Sequence, residues 1–424
     1  MNNSIISRLK KQSYGNLLLN IFLKTSSILI LWISSYYLSV DDFGRLALIQ
    51  ASLVSFQIFA SMGLSTTASK LLSDDFNKES INKVFVSIII SWAVFSLPTS
   101  LVLYLNSEYM SIYLFQDASY SYLIKFTSII VLVSSLKTVC IGILNGIEKA
   151  TVFPRMALIV NIATVIFGLY FIKFIGLVGS VYTLLFLEGL LLIGTVYFII
   201  KEIVFKINTL EEIFDLAEVK KVLHFTIPIS ISGILIMPAN WVAMREISVS
   251  YTLADVGLIN ILNQWLALLI FIPVSVGTAI MPILTREKEK FKIAYMVIKK
   301  VSILVFLVSI PILLYPNFFM AMYNDAYVNE STSIYVILLV SLAVVLSISN
   351  IINNLIVSMG RAKELLKSNL IWLIIFSLMF TFMFSKVDPV INILVSKLSA
   401  YVIKSLYNMI SFYYSHQNGL KNAS

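Results

Sequence analysis

The chain of 424 residues is 59% hydrophobic and only 12% charged, with a mean hydropathy of +0.92. Soluble domains are closer to half apolar and a quarter charged, so this composition indicates a polytopic membrane protein and excludes an ordinary soluble fold. The net charge of +9 is explained by basic cytoplasmic loops, and no nucleic-acid partner is predicted. The single cysteine, Cys140, excludes a disulfide within the chain and a zinc site built on cysteines.

Twelve apolar runs are long enough to cross about 30 Å of hydrocarbon. The first is expected to be retained as a span, because it is too long for the apolar core of a cleaved signal peptide. Two pairs of runs are nearly continuous, and each pair is interpreted as a tight helical hairpin, split at 174–176 or at 386–389. The twelve predicted spans are 16–38, 46–67, 84–105, 122–144, 156–175, 177–200, 223–244, 257–281, 297–318, 332–357, 368–387 and 389–413.

The distribution of Lys and Arg predicts that both termini are cytoplasmic, because cytoplasmic loops carry an excess of these residues. Most of the 31 basic residues fall in the segments that this orientation places inside. The longest inner connection, 201–222, spaces its apolar residues almost as a helix would and puts charges between them. It is predicted to be an amphipathic helix on the membrane surface, with a plain solvated linker as the alternative. The expected organisation is an N-terminal six-helix lobe at 1–200, this linker, and a C-terminal six-helix lobe at 223–424.

The second and eighth spans begin with similar sequences. The stretches DDFGRLALIQ and ADVGLINILNQ each place an acidic residue, Asp42 or Asp255, two positions before a glycine, Gly44 or Gly257. The acidic residue is expected to cap the helix and to favour its positive dipole end. The glycine is expected to ease a tight turn into the span.

Three further pairs of residues recur at almost the same separation. The offset is 213 positions for Gly44 and Gly257 and either 213 or 214 for the other pairs. Because six spans separate the copies, the two lobes are predicted to be related by a pseudo-two-fold axis along the membrane normal, with a cavity between them. The further pairs are Pro98 with Pro311, Gly63 with Gly277, and Gly146 with Gly360.

These features resemble the polysaccharide exporters of the multidrug/oligosaccharidyl-lipid/polysaccharide (MOP) superfamily, and specifically the Wzx-type O-antigen flippases. The resemblance is carried by the two six-span lobes, the repeated acidic-x-Gly starts, the G-x-x-K loops after spans 4 and 10, and the proline-rich span 7. It implies an all-α, MATE-like fold in the bacterial inner membrane. It also implies that undecaprenyl-diphosphate-linked oligosaccharide moves from the cytoplasmic to the periplasmic leaflet by alternating access. The partners implied are a polysaccharide polymerase and a chain-length regulator.

Six ionisable residues inside the predicted spans are the candidate residues of the substrate cavity. A charge at the bilayer centre costs about 2.5–3.5 kcal/mol on insertion scales, so such residues are expected to face a hydrated cavity or to pair. They are Lys24 in span 1, Lys125 and Lys137 in span 4, Glu188 in span 6, and Lys397 and Lys404 in span 12. Lys125 and Lys137 can instead extend toward the membrane surface. Glu188 is either the counter-ion of one lysine or a site for a coupling H⁺ or Na⁺.

Five lysines against one glutamate predict a cationic cavity that suits a diphosphate and acidic sugars and repels a cationic drug. Aromatic residues in the spans can stack on sugar rings or anchor helices at the membrane surface; they are Trp32, Tyr36, Tyr37, Trp241 and Trp265.

Two other function classes remain open: a cation-coupled multidrug antiporter of the MATE branch, and a membrane enzyme of glycan assembly, either a polymerase or an acyltransferase. The sequence carries no nucleotide-binding loop and only two histidines, so neither catalytic residues, a metal site nor an organic cofactor is predicted.

Overall fold

A computed structural model of the protein describes residues 25–74, 78–147, 149, 153–202, 215–276, 290–359 and 362–421. In these ranges the regular elements are α-helices and two short 3₁₀ turns. Nine helices of the described residues are long and apolar enough to cross a membrane. The predicted all-α polytopic fold is therefore confirmed.

The first of two compact units comprises Met1–Trp241. Its centre is α6, which packs against α2, α3, α4, α5 and α8. The helices of this unit are α1 (25–37), α2 (Val40–Ser61), α3 (Leu64–Asp74), α4 (Lys78–Leu105), α5 (Ser107–Phe115), α6 (Ser121–Gly146), α7 (Phe153–Ile175), α8 (Leu177–Glu202), α9 (Leu216–Ile234) and the beginning of α10 (Ile236–Ser250). Residues 203–214 of the predicted linker lie outside the described residues, and its last residues belong to α9.

The second unit comprises Val242–Ser424. In this unit α17 packs against α11, α15 and α16. The helices that follow α10 are α11 (Leu253–Leu269), α12 (271–276, where the described segment ends), α13 (Lys290–Leu314), α14 (Pro316–Ala321), α15 (Thr332–Ser358), α16 (Ala362–Met383) and α17 (Pro389–Lys421).

The order of elements in the first unit recurs in the second. A helix with an internal proline (Pro98 in α4, Pro311 in α13) leads to a short helix (α5, α14), a 3₁₀ turn and three long helices. The two 3₁₀ turns are capped in the same way, because Asp117 accepts from the backbone N–H of Ser119 and Asn324 accepts from that of Ala326. The first of these hydrogen bonds lowers the pKa of Asp117. The internal repeat is therefore present in the structure, and it extends well beyond the four sequence markers.

The capping residues of the repeated helix start are Ser39 and Thr252. The Ser39 side chain accepts from the backbone N–H of Asp42 at 3.2 Å, and Thr252 forms a complete capping box with Asp255. Asp42 and Asp255 are not the N-cap residues as predicted, because both helices begin two residues before these acids, at Val40 and Leu253, but Asp255 completes the capping box. A Ser/Thr-x-x-Asp pattern places the acid in the first turn, where it still favours the positive end of the helix.

Gly44 and Gly257 lie inside α2 and α11 and are buried, so the predicted role in a tight turn is also wrong. Positive φ occurs instead at Gly63 (70°) and Gly176 (65°) among the described glycines. Gly63 follows Met62, whose φ is 44°, and the two residues break span 2 into α2 and α3.

Gly176 makes the turn between α7 and α8, as predicted for the first hairpin. The turn of the second hairpin ends at Asp388, whose Oδ1 accepts from the backbone N–H groups of Val390 and Ile391 at 2.9 and 3.0 Å. Its Oδ2 accepts from the buried Tyr335 hydroxyl at 2.9 Å. Gly277 and Gly360 lie outside the described residues, so the structure gives no account of these two markers.

Gly142 and Gly146 let α6 approach α3 closely. A Cβ atom at Gly142 would lie 2.3 Å from the Ser65 carbonyl oxygen, and one at Gly146 would lie 2.8 Å from the Leu72 Cβ atom. Glycines four residues apart form the small-residue surface on which membrane helices pack without a hydrophobic driving force. Gly146 is therefore a packing residue at the end of α6 as well as a marker of the repeat.

We expect Gly142→Ala to destabilise the first unit by about 1–3 kcal/mol, because a backbone atom of α3 has to move. Gly189→Ala in α8 is the matched control, since a Cβ atom there meets nothing within 4 Å. Thermal unfolding of the purified protein in detergent measures both changes. Equal midpoints for the two variants would contradict the packing role of Gly142.

Candidate functional site

The structure describes five of the six candidate ionisable residues, and Lys24 lies outside the described residues. Lys125 is exposed, and its ammonium lies 5.6 Å from the centre of the Tyr104 ring. It contacts none of the other four described candidates, which are Lys137, Glu188, Lys397 and Lys404. This fits the interpretation that Lys125 extends toward the membrane surface.

In the first unit, Lys137 on α6 pairs with Glu188 on α8. The Lys137 Nζ atom lies 2.6 Å from the Glu188 Oε2 atom, and the two side chains are 11% and 20% exposed. Within the described residues the Glu188 Oε2 atom accepts no hydrogen bond of good geometry, so its contact with Lys137 is an electrostatic one. Of the two predicted roles for Glu188, its position favours that of counter-ion.

Asn161 is a buried amide on α7, the helix that packs against α8. Phe167 of α7 stacks on Phe186 of α8 with 4.1 Å between ring centres, and Met156 lies against Gly194. The antiparallel register therefore places Asn161 opposite residues 189–192 of α8, the turn that follows Glu188. Both polar atoms of the Asn161 side chain are buried and have no hydrogen-bond partner in the described part of the chain.

In the second unit, α17 carries two buried lysines that meet amide groups. The Lys397 Nζ atom donates to Asn263 Oδ1 on α11 at 3.2 Å, and the Lys404 Nζ atom donates to Asn369 Oδ1 on α16 at 2.7 Å. Lys397 is 8% exposed and Lys404 is 2% exposed. The Lys404 ammonium also lies 5.6 Å from the centre of the Tyr401 ring.

The same side of α17 continues with two more polar residues. Asn408 donates to Asn353 Oδ1 on α15 at 3.1 Å, and Ser411 donates to Glu364 Oε2 on α16 at 3.3 Å. Residues 397, 404, 408 and 411 recur at helical spacing and form one polar face of α17. Lys397 and Lys404 reach different neighbouring helices, α11 and α16, from this face.

Lys397 and Lys404 have no carboxylate partner in the part of the chain that the structure describes. Within the described residues, neither ammonium has an Asp or Glu oxygen at ion-pair distance, and the hydrogen bonds of both go to amide oxygens. An ammonium has three donors, and an amide oxygen carries only part of a negative charge. The polar face of α17 therefore holds two buried positive charges that an anion can still neutralise.

Asn369 and Asn408 are among the residues of this group that the sequence did not single out. Asn408 follows Lys404 by four positions, so helical spacing alone was enough to place it on the polar face of α17. Asn369 lies near the start of an apolar run in α16, and nothing in the sequence indicates that it meets Lys404. Asn369 and Lys404 meet because α16 and α17 pack against each other as a hairpin.

The sequence profile of the family described as polysaccharide biosynthesis protein matches residues 9–288. No curated protein matches the sequence. Among solved structures, an inward-facing multidrug resistance MATE family transporter of the MOP superfamily is 16% identical, with a TM-score of 0.74, covering 95% of this chain and 99% of that one. The lipid II flippase MurJ in an inward closed conformation is 17% identical, with a TM-score of 0.72, covering 93% and 87%.

A third similar structure is a MOP superfamily transporter from Pyrococcus furiosus, described as having a binding pocket of reverse polarity that suggests a different function. It is 14% identical, with a TM-score of 0.68, and the match covers 95% of each chain. Identities this low establish the fold alone. The fold is MATE-like, consistent with the twelve spans in two lobes that the sequence predicted.

We expect Glu188→Gln to destabilise the first unit by about 3 kcal/mol, because the substitution leaves the Lys137 ammonium buried without a counter-ion. The double variant Lys137→Met with Glu188→Gln removes both charges and is expected to recover most of that loss. Thermal unfolding of the wild type, the two single variants and the double variant gives the coupling between the residues. Additive effects of the two substitutions would mean that the ion pair does not stabilise the unit.

Proposed function

Because the chain belongs to the polysaccharide biosynthesis protein family and has the fold of the MOP superfamily, we propose that it is a flippase for a lipid-linked glycan. Its substrate is an undecaprenyl-diphosphate-linked repeat unit of O-antigen or a related surface polysaccharide. It moves this substrate from the cytoplasmic to the periplasmic leaflet of the bacterial inner membrane, with both of its termini in the cytoplasm. A polysaccharide polymerase and a chain-length regulator then receive the exported unit.

The observation that carries this proposal is the pair of buried lysines on α17 that have amide partners. A membrane protein retains an ammonium inside a span only where something repays the cost of desolvation. A diphosphate does so, because its oxygens accept charge-assisted hydrogen bonds from the donors that the amide leaves free. Lys397 and Lys404 are two helical turns apart on one face, so both can act on one extended anionic head group.

In the proposed cycle, the lipid tail stays in the bilayer while the diphosphate and its sugars cross through the protein. Lys397 and Lys404 attract the diphosphate and lower the cost of moving it away from water. Lys24 is a candidate for the same role. The pairing of Lys137 with Glu188 leaves that site close to neutral, so it does not compete for the anion. A coupling H⁺ or Na⁺ at Glu188 would first have to displace Lys137.

The main alternative is a cation-coupled multidrug antiporter of the MATE branch. Such a protein needs carboxylates to exchange a cation for a cationic drug. In the described spans the carboxylate nearest the middle of the membrane, Glu188, is already paired, and the two lysines of α17 repel a cationic drug. A polymerase or acyltransferase is less compatible with a chain that is similar to transporters along almost its whole length.

We expect Lys397→Met and Lys404→Met each to weaken the binding of undecaprenyl diphosphate by about tenfold, the equivalent of about 1.4 kcal/mol. Methionine keeps a long side chain while removing the charge that the phosphate oxygens meet. The measurement is binding of the labelled lipid to the purified protein in nanodiscs. Lys125→Met is the matched control, since Lys125 is exposed and lies outside the polar face of α17.

The same variants are tested for surface glycan in cells in which the chromosomal copy has been deleted. Loss of glycan in the α17 variants, at unchanged protein levels and with a normal Lys125→Met control, is the expected result. Full export by the Lys397→Met, Lys404→Met double variant would refute the role of these lysines. Efflux of cationic dyes in place of glycan export would favour the antiporter.

A further inference from the structure

The helix α9 packs against α2, α3 and α4 of the first unit through a narrow contact face. Among the α9 residues whose burial the structure gives, the buried ones are Val219, Val222, Thr226 and Ser230, which recur at helical spacing on one side of the helix. Two of these four residues carry a short hydroxyl side chain, and none carries a large apolar one. Elements with few buried apolar contacts are the ones that open most easily in a folded protein.

Two hydroxyl contacts hold α9 at the point where span 2 breaks into α2 and α3. The Thr226 hydroxyl donates to the Thr67 hydroxyl oxygen at 3.1 Å, and both residues are fully buried. One turn further along α9, the Ser230 hydroxyl donates to the Met62 carbonyl oxygen. The left-handed turn at Met62 leaves this carbonyl without a backbone partner in the described residues, so it is free to accept from α9. We call these two contacts the hydroxyl latch.

The hydroxyl latch can open without leaving a buried donor unpaired. The Ser230 hydroxyl also lies 2.8 Å from the Thr226 carbonyl oxygen of its own helix, and its single proton can be donated there instead. A threonine hydroxyl in a helix can likewise turn to the carbonyl oxygen four residues earlier. A buried polar contact is costly to break mainly when it leaves a donor or acceptor unsatisfied. The protein can therefore release and re-form this contact at low cost.

The contact between α4 and α6 in the same unit is built differently. The Trp92 indole N–H donates to the Ser135 hydroxyl at 2.9 Å, and the hydroxyl oxygens of Ser96 and Ser135 are 2.8 Å apart. Tryptophan is not one of the short side chains that turn back to the carbonyl oxygens of their own helix. Separating α4 from α6 would therefore leave the Trp92 donor unpaired. This contact belongs to the fixed part of the unit, whereas the contact of α9 is releasable.

The end of α9 is suited to bending. This helix ends at Ile234 and α10 begins at Ile236. Pro238 accounts for the break, because it has no N–H to donate to the Ile234 carbonyl oxygen. One residue before the end of α9, Gly233 is exposed, and a Cβ atom there would meet nothing within 4 Å. A hinge needs only a few residues at the end of an element that can absorb a change of backbone angle, and this segment provides them.

We propose that α9 is a gate helix, which docks on α2, α3 and α4 through the hydroxyl latch and undocks for the glycan to pass. This inference rests on the proposed function, because it takes the lipid-linked glycan as the cargo. The positive-inside pattern predicts that α3 and the start of α9 lie toward the cytoplasm, so the gate is on the entry side. The break at Met62 then has a role in transport, since it presents the carbonyl oxygen on which the gate closes.

Buried hydroxyl pairs at the gate and at the fixed contact allow a matched test by disulfide locking. In a Cys140→Ala background, one variant carries Thr67→Cys with Thr226→Cys and the control carries Ser96→Cys with Ser135→Cys. Transport of labelled undecaprenyl-diphosphate trisaccharide is measured in proteoliposomes before and after oxidation. We expect oxidation to abolish transport by the gate variant, with recovery on reduction, and to leave the control active. Transport by the disulfide-locked gate variant at the rate of its reduced form would overturn the proposal.

A second measurement needs neither substrate nor a disulfide. Thr67 is buried and meets α9, so the reaction of Thr67→Cys with a water-soluble maleimide reports undocking. We expect Ser230→Ala to accelerate this reaction about fivefold, the equivalent of the roughly 1 kcal/mol that one hydrogen bond contributes. Ser96→Cys is the control, because its labelling does not depend on α9. An unchanged rate at Thr67→Cys would overturn the gate even where no disulfide forms. Absence of transport by the reduced variants would instead refute the proposed function, on which the labelling does not depend.

Discussion

The cost of holding an ammonium group in hydrocarbon is the constraint on which the polar interior of this protein depends. Each such charge costs about 2.5–3.5 kcal/mol at the bilayer centre unless a partner or a hydrated cavity compensates it. The first unit compensates Lys137 with a carboxylate on a neighbouring helix, whereas in the described part of the second unit the partners of Lys397 and Lys404 are amide oxygens. The two units therefore share a helical plan but differ in the net charge of their interiors.

The internal repeat makes this difference easier to interpret. The helix pair α6 and α8 in the first unit corresponds to α15 and α17 in the second, and each pair packs side by side. In the first unit this contact contains the Lys137–Glu188 ion pair, and in the second it contains the hydrogen bond between Asn408 and Asn353. The repeat therefore does not dictate the polar contacts of these helices, which is compatible with the proposed role of the α17 lysines in binding an anionic cargo.

Hydropathy and breaker residues were sufficient to predict most long helices and both hairpin turns. They were not sufficient for the start of α2 and α11, because Ser39 and Thr252 begin these helices before the apolar run does. The break at Met62 and Gly63 was also missed, since a left-handed turn of two residues barely alters the mean hydropathy of a span.

The candidate site was predicted only in part for a related reason. A lysine in an apolar run is visible in the sequence, but its partner depends on which helices pack together and in what register. Lys397 meets Asn263 across 134 positions of the chain, and no pattern in either segment records that contact. The contrast between a paired and an amide-bound lysine, on which the functional proposal depends, therefore became visible only in the folded chain.

The amide partners of Lys397 and Lys404 also affect how these lysines can bind and release an anionic cargo. An ammonium that is paired to a carboxylate must give up that ion pair before it can serve a phosphate, and breaking a buried pair costs about 3–5 kcal/mol. An ammonium bound to one amide oxygen retains donors, so a phosphate can be added without breaking the existing hydrogen bond. A flippase has to release its cargo as readily as it binds it. Lysines held in place by neutral partners suit that requirement, because the same amide stays in position when the anion departs.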